Sequence, residues 1–119
     1  MNAGTTINQR DIVLIDVPYS DLSGMKKRPV LIISDNEHNS HNEDIICCAV
    51  TSNPRNYAKS IEISMQELEF GRLEPTSRIK ATKIFALDKN NIQKIIARLN
   101  TEKSRQVVKL LNEAIEIKS

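Results

Sequence analysis

The chain has 119 residues, enough for one domain with a hydrophobic core and too few for two ordinary ones, so residues 1–119 read as a single domain. Hydrophobic residues at 39% and charged residues at 27% give a globular balance that excludes disordered and fibrous classes. Seventeen Lys and Arg against fifteen Asp and Glu leave a net charge of +2, so any electrostatic signal must lie in where the cations sit.

The opening residues, "MNAGTTINQRD", lack the basic start and apolar core of a secretion signal. No stretch approaches the roughly 18 apolar residues of a membrane span, so a cytoplasmic location without a membrane partner is expected. Asp11 to Val17, "DIVLIDV", is an apolar run stopped by Pro18, and "PVLIIS" follows a polar loop; together they predict two strands. The polar stretch "DNEHNSHNED" precedes "IICCAVTS", a buried strand ending at Asn53-Pro54, and the alternating "SIEIS" predicts a fourth. Strand geometry sends the adjacent Cys47 and Cys48 to opposite faces, which makes them small core hydrophobes rather than a disulfide.

Further along, "MQELEFG" predicts one helical turn closed by Gly71, and "SRIKATKIFAL" a long strand with an irregularity near Lys83 and Ile84. In "NIQKIIARL", Ile92, Ile95, Ile96 and Leu99 keep helical spacing while the centre is β-branched, so periodicity leaves helix and strand both open. From Thr101 onward, Val107, Leu110, Leu111, Ala114 and Ile115 form one apolar helical face, with Thr101 or Ser104 as N-cap. Short strands and one terminal helix predict a mainly β fold with a C-terminal α-helix, an SH3-like small barrel.

His38 and His41 lie in "HNSH" without a third ligand, which reads as a polar loop and not a metal site. No nucleophile elbow and no phosphate-cradling glycine loop is present, and no cofactor is expected. What remains is cationic and hydroxylic: Lys26, Lys27 and Arg28 before one strand, Thr51 and Ser52 at the end of another, and Arg72, Arg78, Lys80 and Lys83 around a third. Brought together, they form an anion site; apart, a cationic run beside a strand is a solvated edge.

Taken in order, "RDIVLIDVPYSD", "KKRPVLIIS", "DIICCAVTS" and "SRIKATKIFALDK" resemble the strands and loops of the MazF/PemK family of toxin endoribonucleases from type II toxin–antitoxin systems, over about Arg10 to Ile115. The resemblance implies a metal-independent enzyme that cuts single-stranded RNA at a short sequence, a cognate antitoxin partner, a homodimer, and a strand rather than a helix for "KIIARL". It places the catalytic arginine on Arg28 and the catalytic hydroxyl on Thr51, with Ser52 beside it. RNA binding is expected from Tyr19, Ser20 and Asp21, from Lys26 and Lys27, and from Ser77 and Lys80.

The chemistry suits those side chains. A neighbouring 2′-hydroxyl can attack the phosphorus, leaving the protein to align the attack, stabilise the added negative charge and protonate the departing 5′-oxygen. A guanidinium offers a planar fork to phosphate oxygens, and the Thr51 hydroxyl adds a donor. Arginine almost always keeps its proton, so Arg28 suits acid donation and charge stabilisation better than base action, which leaves the general base unassigned. Tyr19 is the favoured base-stacking residue, and Phe85 is expected in the core. Arg10 and Arg72 stand where the family commonly has glycine, and Thr82 where an aspartate is frequent, so the cut site cannot be carried over. The competing readings are a same-fold toxin that binds protein, as the gyrase-poisoning CcdB branch does, and a catalytically inactive RNA- or peptide-binding barrel. The former relies on a tryptophan-bearing tail, and this chain has no Trp.

Overall fold

The computed structural model describes residues 6–18, 21 and 23–119. Seven strands, β1 (Asp11–Pro18), β2 (Met25–Ile32), β3 (Asp44–Thr51), β4 (Ser60–Glu62), β5 (Leu68–Gly71), β6 (Arg78–Asp88) and β7 (Ile92–Leu99), build one antiparallel sheet. Two helices accompany them, α1 (Asn36–His41) and α2 (Thr101–Ile115). The strand order is β4-β6-β3-β2-β1-β7-β5, and the sheet curls into a half-barrel with β4 and β5 at its edges. The mainly β architecture with one closing helix is the one expected from sequence.

The central strands are apolar on both faces because both faces are covered. Ile12, Leu31, Cys48 and Val50 join Ile79, Leu99 and Val107 of α2 in one core cluster. Val13, Ile15, Val30, Ile32, Ile45 and Cys47 join Leu87 and Ile92 in the other. Burial of each such side chain contributes about 1.5–3 kcal/mol, so β1 to β3 are held from above and below. Cys47 and Cys48 fall into different clusters, as strand alternation requires, and both are free and buried.

The residues that periodicity left open form β7, and bulges explain the misleading spacing. Against β1, Ile15 pairs with Ile92 and Leu14 with Lys94, so Gln93 is an extra residue; likewise Val13 pairs with Ile95 and Ile12 with Ala97, leaving Ile96 extra. One added residue lets side chains three apart share a face, which mimics a helix. The anticipated irregularity in β6 is also present: Cys48 pairs with Ile84 and Ala49 with Lys80, so Ala81, Thr82 and Lys83 are passed over.

Four local expectations are corrected. "MQELEFG" is a 3₁₀ turn at Met65–Glu67, closed by a Ser64–Glu67 capping box, followed by β5; Gly71 ends that strand at φ +86°, where a Cβ would meet the Ile96 carbonyl oxygen at 2.0 Å. "HNSH" belongs to α1, because Asp35 accepts from the His38 N–H and caps a helix there. The N-cap of α2 is Asn100, whose side chain accepts from the Lys103 N–H, rather than Thr101 or Ser104. Only the first half of the apolar helix face is used: Val107 is buried, while Ala114 and Ile115 lie exposed past the sheet.

Two further features brace the start of β1. Arg10 adopts φ +80°, in the left-handed region where glycine is usual, and is held by Leu99 and Ile32 backbone bonds, an ion pair with Glu69 and a 2.8 Å bond from its guanidinium to the Leu99 carbonyl. Asp11 is fully buried, accepting from the Asn8 N–H at 3.0 Å and from Arg98 Nε at 2.7 Å. Arg98 in turn lies 5.1 Å from the Phe70 ring centroid.

Candidate active site

The position of Arg28 follows from the hydrogen-bond pattern of β2. Ile33 N–H donates to Ile46 of β3, and Ile32 C=O accepts from Arg10 on the β1 side, so the odd-numbered residues of β2 face β3 and the even-numbered ones face β1. Leu31 pairs with Cys48 and Val30 with Ala49; continuing that register sets Pro29 against Val50 and Arg28 against Thr51. Pro29 is the odd-numbered residue that has no N–H to give β3. The β2–β3 ladder stops at Val30 and Ala49, while β2 stays paired with β1 through Leu14–Pro29 and Ile15–Arg28. Proline thus parts two strands whose next cross-strand pair is Arg28 and Thr51.

Two clefts open at this parting. One, of about 620 Å³, is lined by Lys26, Arg28, Thr51, Ser52, Tyr57, Lys80, Lys83 and Phe85; the other, of about 530 Å³, by Lys27, Arg28, Ser52, Arg72, Glu74 and Ser77 among others. Arg28, Pro29, Val50 and Ser52 line both, so Arg28 stands on the ridge between them. The first cleft has no carboxylate among its described lining residues, whereas Glu74 lies on the wall of the second. Four cations in one concave surface raise the local concentration of an anionic ligand despite the small net charge.

Arg28 is exposed, and among the described residues its guanidinium has no hydrogen-bond or ion-pair partner. Its full donor set is therefore available to a ligand. Thr51 Oγ1 accepts from the Asn53 N–H at 3.1 Å, which fixes the hydroxyl and leaves its proton free to donate. The loop is fastened further by the Arg55 N–H donating to Asn53 Oδ1 at 3.0 Å and by the Thr76 hydroxyl donating to the Ser52 carbonyl.

The other predicted site residues divide. Lys26 and Lys80 line the Arg28–Thr51 cleft; Lys27 lines the neighbouring one and pairs with Asp16 at 3.2 Å. Ser77 is 3% exposed, at the back of the second cleft, with its N–H donating to Glu74 C=O at 3.0 Å. Asp21 lines neither cleft: it accepts from the Ser23 hydroxyl at 2.7 Å and the Ser23 N–H at 3.0 Å, bonds that hold its carboxyl below the usual range. Tyr19 and Ser20 lie outside the described residues.

Both histidines sit away from the clefts on α1, His38 Nε2 near Asp44 C=O at 3.1 Å and His41 Nδ1 near Glu37 C=O at 2.8 Å. Among the described residues no group of three His, Cys, Asp or Glu is arranged to hold a metal ion.

One aromatic residue departs from its expected place, and a second, Tyr57, had none assigned from sequence. Phe85 is 37% exposed and lines the first cleft rather than the core, because the residues passed over in β6 shift the phase of everything after them. Tyr57, in the loop after β3, lines the same cleft, with Lys80 Nζ 4.1 Å and Arg55 Cζ 5.2 Å from its ring centroid. A loop tyrosine near cations in sequence carried no spacing signal; the contact arises from the β3–β6 pairing.

With this geometry in hand, comparison with known proteins defines the class. A model of the PemK-like, MazF-like toxins of type II toxin–antitoxin systems matches residues 8–115, and the chain belongs to that family. Solved structures agree in fold. The MazE–MazF complex of Deinococcus radiodurans superposes with a TM-score of 0.79 at 16% identity, covering 96% of this chain and 99% of the other. An endoribonuclease from a mycobacterial species in complex with its cognate antitoxin gives 0.76 at 17%, covering 95% and 98%. The Mycobacterium tuberculosis toxin MazF-mt6 gives 0.71 at 17%, covering 92% and 100%. No curated protein sequence matches the chain.

Proposed function

We propose that this toxin is a sequence-specific, metal-independent endoribonuclease that cuts single-stranded RNA, with Arg28 and Thr51 as its catalytic pair and Ser52 beside them. The observation that carries the reading is that the exposed Arg28 guanidinium, without a partner among the described residues, lines one cleft with Thr51 just beyond the proline at which the β2–β3 ladder ends. The substrate's 2′-hydroxyl attacks the neighbouring phosphorus while Arg28 takes the phosphate oxygens in its fork and Thr51 donates to the same group. Charge that develops on those oxygens meets donors already in place, an effect worth about a hundredfold or more per donor. Arg28 supplies a proton toward the departing 5′-oxygen, giving a 2′,3′-cyclic phosphate. Glu74, the carboxylate on the adjoining wall, is the group there that can accept the 2′ proton.

Lys26, Lys27 and Lys80 serve as phosphate contacts along the strand, and Ser77 as a polar group at the base of the second cleft. Tyr19, Ser20 and Asp21 are assigned to RNA binding, Asp21 by shaping its own turn through Ser23. A cognate antitoxin is the protein partner, in keeping with the complexes known for similar folds. Ile46 and Ile84, exposed on neighbouring strands at 39% and 42%, and Ile115 at 61%, support a homodimer. The two clusters share strands β1 to β3, which supports residues 1–119 as one toxin domain. No helix among the described residues is long and apolar enough to cross a membrane, and a cytoplasmic location is proposed because that is where a cellular RNA substrate is met.

The deciding experiment is primer-extension mapping on a long single-stranded RNA in EDTA. Discrete cuts by the wild type, lost in Arg28→Ala with the fold intact by circular dichroism, are expected. Equal cutting by the two proteins would overturn the assignment.

A further inference from the structure

The Tyr57 ring performs no evident structural task. It belongs to neither core cluster, and among the described residues its hydroxyl has no hydrogen-bond partner. It is half-buried in the wall of the cleft that holds Arg28 and Thr51, and its ring is attended by Lys80 and Arg55. The second cleft, on the far side of the Arg28 ridge, has no aromatic residue among those that line it. The two sides of the site therefore offer different chemistry to the nucleotides that flank a phosphate on Arg28.

We infer that the Tyr57 cleft is a nucleobase-stacking subsite, in which the unpaired base on one side of the scissile phosphate lies on the Tyr57 ring while Lys80 and Arg55 transfer to phosphate. The inference rests on the ribonuclease reading and extends it to one flanking nucleotide. A cation over an exposed ring contributes only about two- to fivefold in affinity. A stacked base contributes about five- to a hundredfold. A base that displaces the cations from the ring thus makes a contact of comparable or greater strength, and the two released cations meet a fully charged phosphate in place of a ring quadrupole. Phe85, exposed in the same cleft, gives the base an apolar neighbour surface. Stacking is tolerant of base identity, so this subsite anchors the strand and leaves discrimination to polar groups elsewhere.

The test couples residue to base. Once cut sites are mapped, RNA oligonucleotides spanning one site are made with a single abasic nucleotide walked through the positions on either side of the cut. Wild type is compared with Tyr57→Leu, which fills the space without a ring face, and with Tyr57→Phe, which keeps one. On intact RNA, Tyr57→Leu is expected to raise KM about tenfold with kcat little changed, as loss of uniform binding requires, and Tyr57→Phe to behave as wild type. One abasic position, on one side of the cut only, should impose the same penalty on the wild type and leave Tyr57→Leu no worse, the non-additive signature of a direct contact. A Tyr57→Leu defect of equal size on intact and abasic substrates, or no defect at all, would overturn the stacking subsite while leaving the nuclease assignment standing. Failure of the wild type to cut any RNA would be a failure of the nuclease assignment itself, and the subsite would fall with it.

Discussion

Arg28 and Thr51 line one cleft two register steps beyond Val30–Ala49, the last pair of β2 and β3, with a proline that cannot donate in the step between. Strand pairing sets where both residues fall, and the end of the ladder leaves an open cleft beside them.

If the Arg28 fork matters as well as its charge, Arg28→Lys should fall at least tenfold in kcat on single-stranded RNA, because a lysine offers a point charge without paired planar donors. Thr51→Val, which removes the donor and the acceptor for Asn53, should lose about a hundredfold. Thr51→Ser should keep most activity. Steady-state cleavage rates check all three, and a Thr51→Val enzyme as fast as wild type would remove the hydroxyl from the mechanism.

Pro29→Ala restores an N–H aimed at Val50. The ladder should extend by one bond and close the cleft partway, lowering kcat/KM about tenfold while stability changes by no more than about 1 kcal/mol. Slowed amide exchange at position 29 would accompany the loss. Unchanged activity with a protected amide would show that the parting of the strands is not what opens the site.

Backbone conformation sets the next contrast. Gly71 at φ +86° has the Ile96 carbonyl 2.0 Å from where a Cβ would sit, so Gly71→Ala should destabilise by about 3 kcal/mol or more in urea unfolding. Arg10 also has positive φ, yet is an arginine, offsetting about 1 kcal/mol of strain with its bonds to Glu69 and Leu99. Arg10→Ala loses those bonds and keeps the strain, whereas Arg10→Gly loses both; the alanine variant should be less stable than the glycine variant by about 1 kcal/mol.

Burial pushes the Cys47 and Cys48 thiols up to about 12 from an ordinary 9.0. Below pH 9 both are protonated whether the chain is folded or not, so they add no pH dependence there. Between 9 and 12 the unfolded chain gives up protons that the folded one keeps, and stability should fall as pH rises. Urea midpoints from pH 8 to 10.5 should decline, and the decline should shrink in Cys47→Ala/Cys48→Ala. In native protein at pH 8 neither thiol should react with a disulfide reagent until unfolding exposes it.

The central strands were legible in sequence because each carries a continuous apolar run, and the Arg-Pro step was legible because proline is the one residue that must break a ladder. The clefts were not, since their walls are assembled by register from strands distant in sequence, β1, β2, β3 and β6 for the first and β1, β2, β3 and β7 with Arg72 to Glu74 for the second. Phe85 went wrong for that reason: alternation counted from Arg78 loses phase across Ala81, Thr82 and Lys83. In β7, Gln93 and Ile96 blurred strand into helix in the same way. The α1 helix was missed because six polar residues show no periodicity, and only Asp35, read as an N-cap, announced it.

The interruption in β6 has a consequence for how this cleft would be remodelled. Lys83 and Phe85 reach the cleft where three residues are looped past the β3–β6 ladder, while Arg28 hangs on β2, which does not pair with β6, and Thr51 lies opposite Arg78, before the loop. Adding or deleting one residue between Lys80 and Ile84 would turn the following side chains over, retiring Phe85 from the cleft and presenting Ile84 or Ala86 instead. A change of length at that loop would therefore alter the lining of the cleft from one strand alone, with Arg28 on β2 keeping its place.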